Sequence, residues 1–322
     1  MSANKGKGTG QVTSYSDWMS QLPAELHNVP LFNLAIPGSH DSMSYDLDIN
    51  SSIIEPDRLK SFSEIYCVRK IVHTWAATQE EPIVKQLDAG VRYFDLRIAC
   101  KPNNTDPARL CFYHGLYTRT DVETVLKVIN DWAERHPKEI LILALSHFKG
   151  FERNIEEQLH IHLINLIKTL FGARLLHRVV KTSDIPTLKS CWDQGRNVIV
   201  SYDYPANQHP EMWGKIPYYY GDSMDPGKVE TELRRVLETA RPCQCFFVCG
   251  LNLTLPEDAG ILRYIFRPRE NFASVILRSL PELLQWMEND GKTANIVASD
   301  VVTRDDFVQT VVQLNFSRQV KT

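Results

Sequence analysis

Two histidines, His40 and His114, lie at or just after the ends of predicted strands, and His40 has a carboxylate as its neighbour. His40 and its neighbour Asp41 follow the apolar run 31–36, which we predict to be a strand. We expect the Pro-Gly pair between the run and His40 to end that strand. His114 closes the run 110–114. Because histidine titrates near neutral pH, one such side chain can accept a proton from an attacking hydroxyl while the other protonates a leaving oxygen.

Asp95 and Arg97 lie two residues apart in the run 92–98, so on a strand they share one face. A guanidinium group can hold the nonbridging oxygens of a phosphate and neutralise the charge that grows on them. Taken alone, this pair is explained equally well as a structural ion pair, and each histidine as a hydrogen-bonded turn or core residue. Together at one end of one fold, these groups favour cleavage of a phosphodiester.

The elements that would position these residues are short apolar runs that alternate with segments of helical periodicity. The predicted strands are 31–36, 92–98, 110–114, 140–146, 197–203, 245–252 and 295–300. The predicted helices are 121–136, 154–170, 271–289 and 304–314. Most of the strands are nearly continuous hydrophobic stretches, which is typical of a parallel sheet covered on both faces.

This alternation in a chain of 322 residues predicts an α/β fold, an irregular (β/α) TIM-type barrel in a single domain. We expect the domain to span 14–322, after a disordered tail over 1–13. Irregularity is expected because seven strands are found instead of eight, and 110–114 follows 92–98 without an obvious helix. A doubly wound open sheet is the alternative, although no GxGxxG or P-loop sequence supports it.

In a barrel the carboxyl ends of the strands form one rim, where catalytic groups collect. The last predicted strand delivers Asp300 to this rim, and other strands deliver polar residues that we predict to bind substrate. Those predicted substrate-binding residues are Ser146, His147, Tyr202 and Asn252. Any additional phosphates on the substrate would need cations, for which Lys101, Arg109 and Lys149 are the candidates.

Composition narrows the class of protein. The net charge is −3 and no basic stripe stands out, which argues against a dedicated nucleic-acid binder. No secretory signal, membrane-spanning run or lipidation pattern is found, so we expect a cytoplasmic protein, soluble or peripheral to internal membranes, or a nuclear one. The seven cysteines fit no metal-ligand spacing, and we interpret them as buried free thiols of a reducing compartment.

Three segments carry a resemblance to a known family: IPGSHDSMS, GVRYFDLRI and FYHG. In this order they resemble the X region of phosphatidylinositol-specific phospholipase C, above all the animal proteins that consist of little else. The likeness runs from Asp17-Trp18-Met19 to the final strand NIVASD. The resemblance implies that His40 is the base that deprotonates the inositol 2-hydroxyl, and that His114 is the acid that protonates the diacylglycerol oxygen.

The same resemblance assigns supporting roles to the charged residues. Asp41 would support His114, Asp95 would hold Arg97, and Arg97 would contact the phosphate. Asp300 would orient His40. The products would be diacylglycerol and a cyclic inositol phosphate.

The resemblance also bears on metal and membrane. Calcium-dependent relatives carry Asn after the first histidine and a second carboxylate at the position of Arg97, whereas this chain has Asp41 and the arginine itself. An arginine there supplies positive charge and repels a divalent cation, so we predict no metal and no cofactor. The implied partner is phosphatidylinositol in a membrane surface. Rim aromatics are candidates for that contact, although ordinary loop packing explains them equally well: Trp213, Tyr218, Tyr219 and Tyr220.

Two other functions stay open from the sequence. A non-catalytic phosphoinositide-binding or scaffold protein could use the same fold, although it has no chemical need for both histidines with Asp41 and Arg97. A metal-dependent glycerophosphodiesterase would be expected to have a Glu-x-Asp ligand pair where this chain has Asp95-x-Arg97.

Overall fold

The computed structural model describes residues 12–102, 109–179, 185–206, 208–255 and 272–318. Within these residues the strands are β1 (Ile36–Ser39), β2 (Tyr93–Ala99), β3 (Cys111–His114), β4 (Leu116–Asp121), β5 (Leu141–Lys149), β6 (Val198–Tyr202), β7 (Met212–Trp213), β8 (Tyr218–Tyr220), β9 (Val248–Gly250) and β10 (Ile296–Ser299). The α-helices are α1 (Tyr66–Ala76), α2 (Ile83–Ala89), α3 (Val122–Arg135), α4 (Glu156–Phe171), α5 (Leu188–Gln194), α6 (Pro226–Arg235), α7 (Phe272–Asp290) and α8 (Phe307–Ser317).

Eight strands form one curled sheet in the order β7-β6-β5-β2-β1-β10-β9-β8. All of these neighbours pair in parallel, and β1 pairs with β10 through all four of its residues. No pairing between β7 and β8 is found in the described part of the chain, so the barrel stays open there. This confirms the predicted α/β class and the irregular barrel, and it removes the doubly wound sheet.

The helices cover the sheet because each presents an apolar stripe to it. In α3 the buried residues recur at helical spacing, from Val122 through Leu126 and Ile129 to Ala133. The helix begins after Asp121, whose carboxylate accepts a hydrogen bond of 2.8 Å from the Thr124 N–H. Burial of both sheet faces explains why the strands read as nearly continuous apolar runs.

The first strand differs from the prediction over 31–36. Residues Leu31–Asn33 form a 3-10 turn, and β1 consists of Ile36, Pro37, Gly38 and Ser39. Proline is tolerated at position 37 because its nitrogen, which has no hydrogen to donate, faces β2 just ahead of the paired residues Gly38 and Ser39. On the same side, the Pro37 carbonyl accepts a hydrogen bond of 2.9 Å from the Arg92 N–H. Glycine is required because a Cβ at position 38 would lie 2.9 Å from the Tyr93 ring. The Pro-Gly pair is therefore inside the strand instead of ending it.

The run 110–114 is a strand but not part of the barrel. β3 pairs antiparallel with β2 and forms a hairpin with β4, which the sequence did not predict. The barrel reaches eight strands through β7 and β8, which were also missed. These strands have two and three residues, so they show no recognisable hydrophobic period.

Strand β5 runs three residues beyond its predicted end at residue 146. The register between β2 and β5 shifts after Arg97, because Arg97 pairs with Ser146 whereas Ala99 pairs with Lys149. One extra residue therefore bulges from β5. His147 lies in this segment with φ of +51°, a conformation that a regular strand excludes. Ser146 and His147 are therefore inside a bulged strand and not in a loop that follows it.

Three smaller predictions can also be compared with the structure. The tail prediction falls mainly on residues 1–11, which lie outside the described residues, and at its end Val12 is buried. The interpretation of all cysteines as buried is wrong for Cys67, Cys243 and Cys245, which are exposed. The last two precede β9, because that strand begins only at Val248. Among the helices of the described residues, none combines the length and apolar character needed to cross a bilayer.

Candidate active site

The predicted catalytic residues converge at the carboxyl ends of β1, β2 and β10 and at the hairpin of β3 and β4. Four of them, His40, Asp95, Arg97 and His114, line a cavity of about 990 Å³, which is a size suited to a small-molecule headgroup, while Asp41 and Asp300 are buried behind them. His40 follows β1, Asp95 and Arg97 lie on β2, and Asp300 follows β10. Parallel neighbours bring these strand ends to one edge, so residues far apart in sequence meet there.

The turn after β1 is fixed by β2. Asp41 adopts φ of +43°, and its backbone N–H donates to Asp95 Oδ2 at 3.2 Å. The Ser42 N–H donates to the Asp95 carbonyl at 3.0 Å. Asp95 therefore holds the backbone of the turn as well as the nearby arginine.

His40 is oriented by Asp300. Its Nδ1 lies 2.7 Å from Asp300 Oδ1, and the Asp300 side chain is fully buried. A carboxylate at this distance stabilises the Nδ1–H form, which leaves Nε2 facing the cavity. Burial lowers the pKa of His40, but the charges of Asp41 and Asp300 and the Asp300 hydrogen bond raise it more, to about 9.

The His40 Nε2 atom has two partners of opposite character. Arg97 Nη2 lies 3.0 Å away and can only donate, whereas Asp41 Oδ2 lies 3.2 Å away and can accept. A neutral His40 accepts from Arg97, and a protonated His40 donates to Asp41. The site therefore accommodates both protonation states of this histidine.

His114 approaches the same carboxylate from the hairpin. Its Nδ1–H donates to the Ala76 carbonyl at 2.7 Å, because a carbonyl can only accept. Its Nε2 lies 3.3 Å from Asp41 Oδ2. The Nε2 atoms of both histidines thus flank one oxygen of Asp41, and the ring centroids are 6.4 Å apart.

The charges in this cluster support one another. Arg97 Nε lies 2.7 Å from Asp41 Oδ1, and Arg97 Nη2 lies 3.3 Å from Asp95 Oδ2. Burial raises the pKa of Asp41, but the charges of Arg97 and His114 outweigh burial and lower it to about 2. Burial alone would lower the pKa of Arg97, yet Asp41 and then Asp95 raise it. Both groups are therefore charged throughout the physiological pH range.

Three of these residues also offer a set of possible metal ligands. Donor atoms of His40, Asp41 and Asp95 lie within 4.8 Å of one another. The guanidinium of Arg97 contacts one atom of each of the three, at 2.7 to 3.3 Å. A cation added there would meet this fixed positive charge, so the donor set does not fit a divalent ion.

Of the residues predicted to bind substrate, Ser146, His147 and Asn252 line the cavity and Tyr202 does not. Tyr202 points to the other face of β6, where its hydroxyl lies 2.9 Å from His160 Nδ1. Side chains alternate along a strand, so its neighbours line the cavity instead. These neighbours are Ser201 and Asp203.

The aromatic residues predicted as a rim separate into three environments. Trp213 and Tyr219 pack against the core, whereas Tyr220 is exposed at the cavity. Tyr218 lies inside, with its ring 5.9 Å from that of His40 and its hydroxyl donating to Asn252 Oδ1 at 2.8 Å. The three consecutive tyrosines were a usable signal, but their strand β8 was not predicted.

The candidate cations also differ from the prediction. Lys101 lies against Tyr117, and Arg109 pairs with Asp121 outside the cavity. Lys149 does line the cavity and pairs with Glu55 at 3.0 Å. The sequence analysis missed Arg58 and Lys215 on the same walls, because Arg58 lies in a short 3-10 helix and Lys215 in a loop, and neither segment carries a recognisable periodic signal.

A buried glutamine that the sequence analysis missed joins the two turns of the site. The side-chain amide of Gln79 donates to the carbonyls of His40 and Ser299, at 2.8 and 3.0 Å. Its Oε1 accepts from the Val302 N–H at 3.2 Å. Gln79 therefore fixes the backbone on both sides of the pair formed by His40 and Asp300.

Comparison with known proteins places this chain in a family. The family model "Phosphatidylinositol-specific phospholipase C, X domain" matches residues 59–201. PI-PLC X domain-containing protein 1 of Homo sapiens is 39% identical over 93% of this chain and 92% of its own length. The chain belongs to the PI-PLC X domain-containing proteins. PI-PLC X domain-containing protein 1 of Danio rerio is 36% identical over 94% of this chain and 97% of its own length. PI-PLC X domain-containing protein 2 of Mus musculus is 36% identical over 96% of this chain and 90% of its own length.

Solved structures show the fold of this PI-PLC X domain protein. A structure of the phosphatidylinositol-specific phospholipase C of S. aureus aligns with a TM-score of 0.63 at 18% identity, covering 94% of this chain and 98% of its own. The Listeria monocytogenes enzyme aligns with a TM-score of 0.62 at 21% identity, covering 95% and 99%. At these identities the likeness concerns the barrel alone.

The part of the PI-PLC X domain protein that matches the family model contains only half of the candidate site. Asp95, Arg97 and His114 fall within residues 59–201. His40 and Asp41 precede this range, and Asp300 follows it. Their place in the site rests on the distances described above.

Proposed function

We propose that this protein cleaves phosphatidylinositol by attack of the inositol 2-hydroxyl on the neighbouring phosphorus. The bond from the 2-oxygen to phosphorus forms and the bond from phosphorus to the glycerol oxygen breaks, which gives inositol 1,2-cyclic phosphate and diacylglycerol. The observation that carries the proposal is the pair of histidine Nε2 atoms flanking Asp41 Oδ2, at 3.2 and 3.3 Å. Such a pair can remove one proton and supply another without moving either ring.

On the attacking side, neutral His40 takes the 2-hydroxyl proton at Nε2. The new imidazolium ion is stabilised by Asp300 at Nδ1 and by Asp41 at Nε2. The pKa of His40 is about 9, so in the free protein at neutral pH most molecules hold this proton already. We therefore expect kcat/KM to increase with pH across neutrality, until His40 is deprotonated.

On the leaving side, protonated His114 delivers the proton from Nε2 to the glycerol oxygen. The Ala76 carbonyl keeps Nδ1 protonated, so Nε2 is the atom that loses and regains the proton. Asp41 Oδ2 lies 3.3 Å from this atom and can accept a hydrogen bond from it before the transfer. A water molecule that uses the same two histidines in reverse can then open the cyclic phosphate.

Arg97 is the group proposed to hold the phosphate, in place of a metal ion. Its Nη2 lies 3.0 Å from His40 Nε2, and its Nε contacts the Asp41 carboxylate that lies beside His114. Arg97 is partly exposed at the cavity, whereas its carboxylate partners are buried. A guanidinium can contact two nonbridging oxygens and neutralise their growing charge. We therefore propose catalysis that is independent of calcium.

The cavity walls favour inositol that carries no additional phosphate. Lys149 pairs with Glu55 and Lys215 pairs with Asp203, so carboxylates accompany these two cations of the walls. Carboxylates accept hydrogen bonds from sugar hydroxyls and repel additional phosphates. We expect phosphatidylinositol to be cleaved at least tenfold faster than its 4,5-bisphosphate in otherwise identical vesicles, and equal rates would contradict this assignment.

The test of the function is the product itself. Purified protein is incubated with phosphatidylinositol vesicles, and the cyclic phosphate is followed by phosphorus NMR. We expect product from the wild type and roughly 10²- to 10⁴-fold slower formation by His40→Ala and by His114→Ala. Vesicle binding without product in the wild type would reject catalysis and favour the non-catalytic lipid-binding alternative.

A further inference from the structure

An exposed apolar patch lies beside the cavity and has no role in the chemistry described above. Within the described residues, five large hydrophobic side chains are well exposed, and three of them fall in residues 62–66. Phe62 and Ile65 are each 45% exposed and Tyr66 is 56% exposed. Such clustering is unusual for a surface that faces only water.

The patch lies on the turn between two walls of the cavity. Residues 55–59 line the cavity and continue into the 3-10 helix Asp57–Phe62, while Val72, Trp75 and Ala76 of α1 line it from the other side. In a 3-10 helix, residues three apart lie in one row, so Phe62 continues the row of the cavity residue Leu59 outward. The apolar surface of the cavity is therefore continuous with the patch.

The turn is held in place by hydrogen bonds. Arg69 donates to the carbonyls of Ser63 and Ile49, and its guanidinium lies 5.8 Å from the centre of the Tyr66 ring. The Ser63 hydroxyl donates to the Lys60 carbonyl at 2.7 Å. The apolar side chains are thus presented by an ordered turn, so docking would cost little ordering entropy.

Charge around the patch indicates the kind of surface that it fits. Residues 57–70 contain four cations, Arg58, Lys60, Arg69 and Lys70, and two carboxylates, Asp57 and Glu64. Apolar tips surrounded by lysine and arginine are complementary to the boundary between headgroups and acyl chains in an anionic bilayer. Aromatic residues with a polar end, such as Tyr66, favour the same depth.

We propose that Phe62, Ile65 and Tyr66 form a membrane-docking surface that seats the mouth of the cavity on a bilayer containing anionic phospholipid. This inference rests on the proposed function, because a lipid substrate must pass from the bilayer into the cavity. It differs from the predicted contact through residue 213 and the tyrosines 218–220. Of those four, Trp213, Tyr218 and Tyr219 pack against the core, and Tyr220 is exposed at the cavity. Docking at residues 62–66 brings the headgroup layer next to His114 and Arg97 without extracting the lipid.

The chain offers a matched control for this surface. Ile161 on α4 is also 45% exposed, and no residue of α4 lines the cavity. Binding of the full-length protein is measured by sedimentation with phosphatidylcholine vesicles that contain or lack 20% phosphatidylinositol. We expect Phe62→Ala/Ile65→Ala/Tyr66→Ala to weaken partitioning into the anionic vesicles by roughly tenfold or more, and Ile161→Ala to leave it unchanged.

A second variant reports the contact directly. Phe62→Trp should show a blue-shifted emission on addition of the same vesicles, because the indole would leave water. Unchanged emission together with unchanged partitioning of the triple variant would overturn the proposal. A wild-type dimer that becomes monomeric in the triple variant, with vesicle binding retained, would overturn it in favour of a second copy of the chain.

Turnover of two substrates separates this proposal from the proposed function. The triple variant should cleave phosphatidylinositol in vesicles more slowly but hydrolyse soluble inositol cyclic phosphate at the wild-type rate. If the wild type acts on neither substrate while the binding difference persists, the docking surface stands and the proposed function fails. If the wild type acts on both substrates and the triple variant equals it on vesicles, the docking surface fails alone.

Discussion

Exchanging Asp300 for asparagine tests the proposed role of His40 most directly. The exchange keeps the shape of the side chain but removes a buried charge 2.7 Å from His40 Nδ1. Asp300 supplies both a charge and a hydrogen bond that raise the pKa of His40, whereas Asp41 supplies a charge alone. Without Asp300, burial and the charge of Arg97 are opposed by one carboxylate only.

The size of the effect follows from these contacts. An opposite charge this close raises a histidine pKa by roughly one to three units, so the pKa of His40 should fall by that amount from about 9. The acid limb of the pH profile of kcat/KM should move to lower pH by the same amount. The maximal rate should nevertheless fall by roughly 10²- to 10⁴-fold, because the ring loses the group that holds its tautomer and stabilises its cation.

The assay is the initial rate of cyclic phosphate formation between pH 5 and 10, for the wild type and for Asp300→Asn. Asp203→Asn is the matched control for the acid limb, because Asp203 is a carboxylate of the cavity wall that pairs with Lys215 and does not contact His40. This exchange can weaken inositol binding but should leave the acid limb where it is. Circular dichroism and thermal unfolding confirm that each variant folds. A lower rate with an unmoved acid limb would refute the assignment of His40 as the base.

Three further results are expected. Turnover should be unchanged by a calcium chelator, because Arg97 supplies the positive charge at the phosphate. Loss of turnover on chelation that is restored by added calcium would contradict calcium-independent catalysis. Gln79→Leu should lower the free energy of unfolding by about 2–5 kcal/mol in urea titrations, since it leaves the His40 carbonyl and the Val302 N–H unpaired, and should lower kcat at least tenfold. Wild-type kcat would show that Gln79 does not position the site. The pKa of His40 in the folded protein, about 9, exceeds its ordinary value of 6.5, so protonated His40 contributes roughly 3 kcal/mol to the free energy of unfolding below pH 6.5, and this contribution is lost as pH rises through 9. In Asp300→Asn the loss of stability between these pH values should be smaller. An equal loss in the variant and the wild type would contradict the pairing of His40 with Asp300.

The barrel and the convergence of the candidate catalytic groups could be predicted because they depend on local signals. Buried parallel strands are nearly continuous apolar runs, so β2, β5, β6 and β10 were found close to their true bounds. The polar residues that follow such runs necessarily reach the rim. The position of Asp300 therefore followed from the end of one strand, although its partner lies near residue 40.

Features that depend on the neighbours of a segment could not be predicted. Pro37 fits within β1 because the hydrogen bond to Arg92 at this position needs only its carbonyl, and nothing in the local sequence records that arrangement. Tyr202 and Ser201 are equally suitable residue types for a polar site. Which of the two faces the cavity depends on the register between β6 and β5, because a shift of one residue exchanges the two faces of a strand. The roles of Gln79 and the membrane-docking surface depend on loops, which carry no periodic signal.

The pairing of β1 with β10 has a consequence for how the protein becomes active during synthesis. His40 and Asp300 are 260 residues apart, and each strand is the neighbour that the other needs. A growing chain exposes β1 early, but one edge of β1 and the Nδ1 atom of His40 have no partner until residues 296–300 have left the ribosome. We expect truncated chains that end before residue 296 to lack turnover and to aggregate through the open edge of β1.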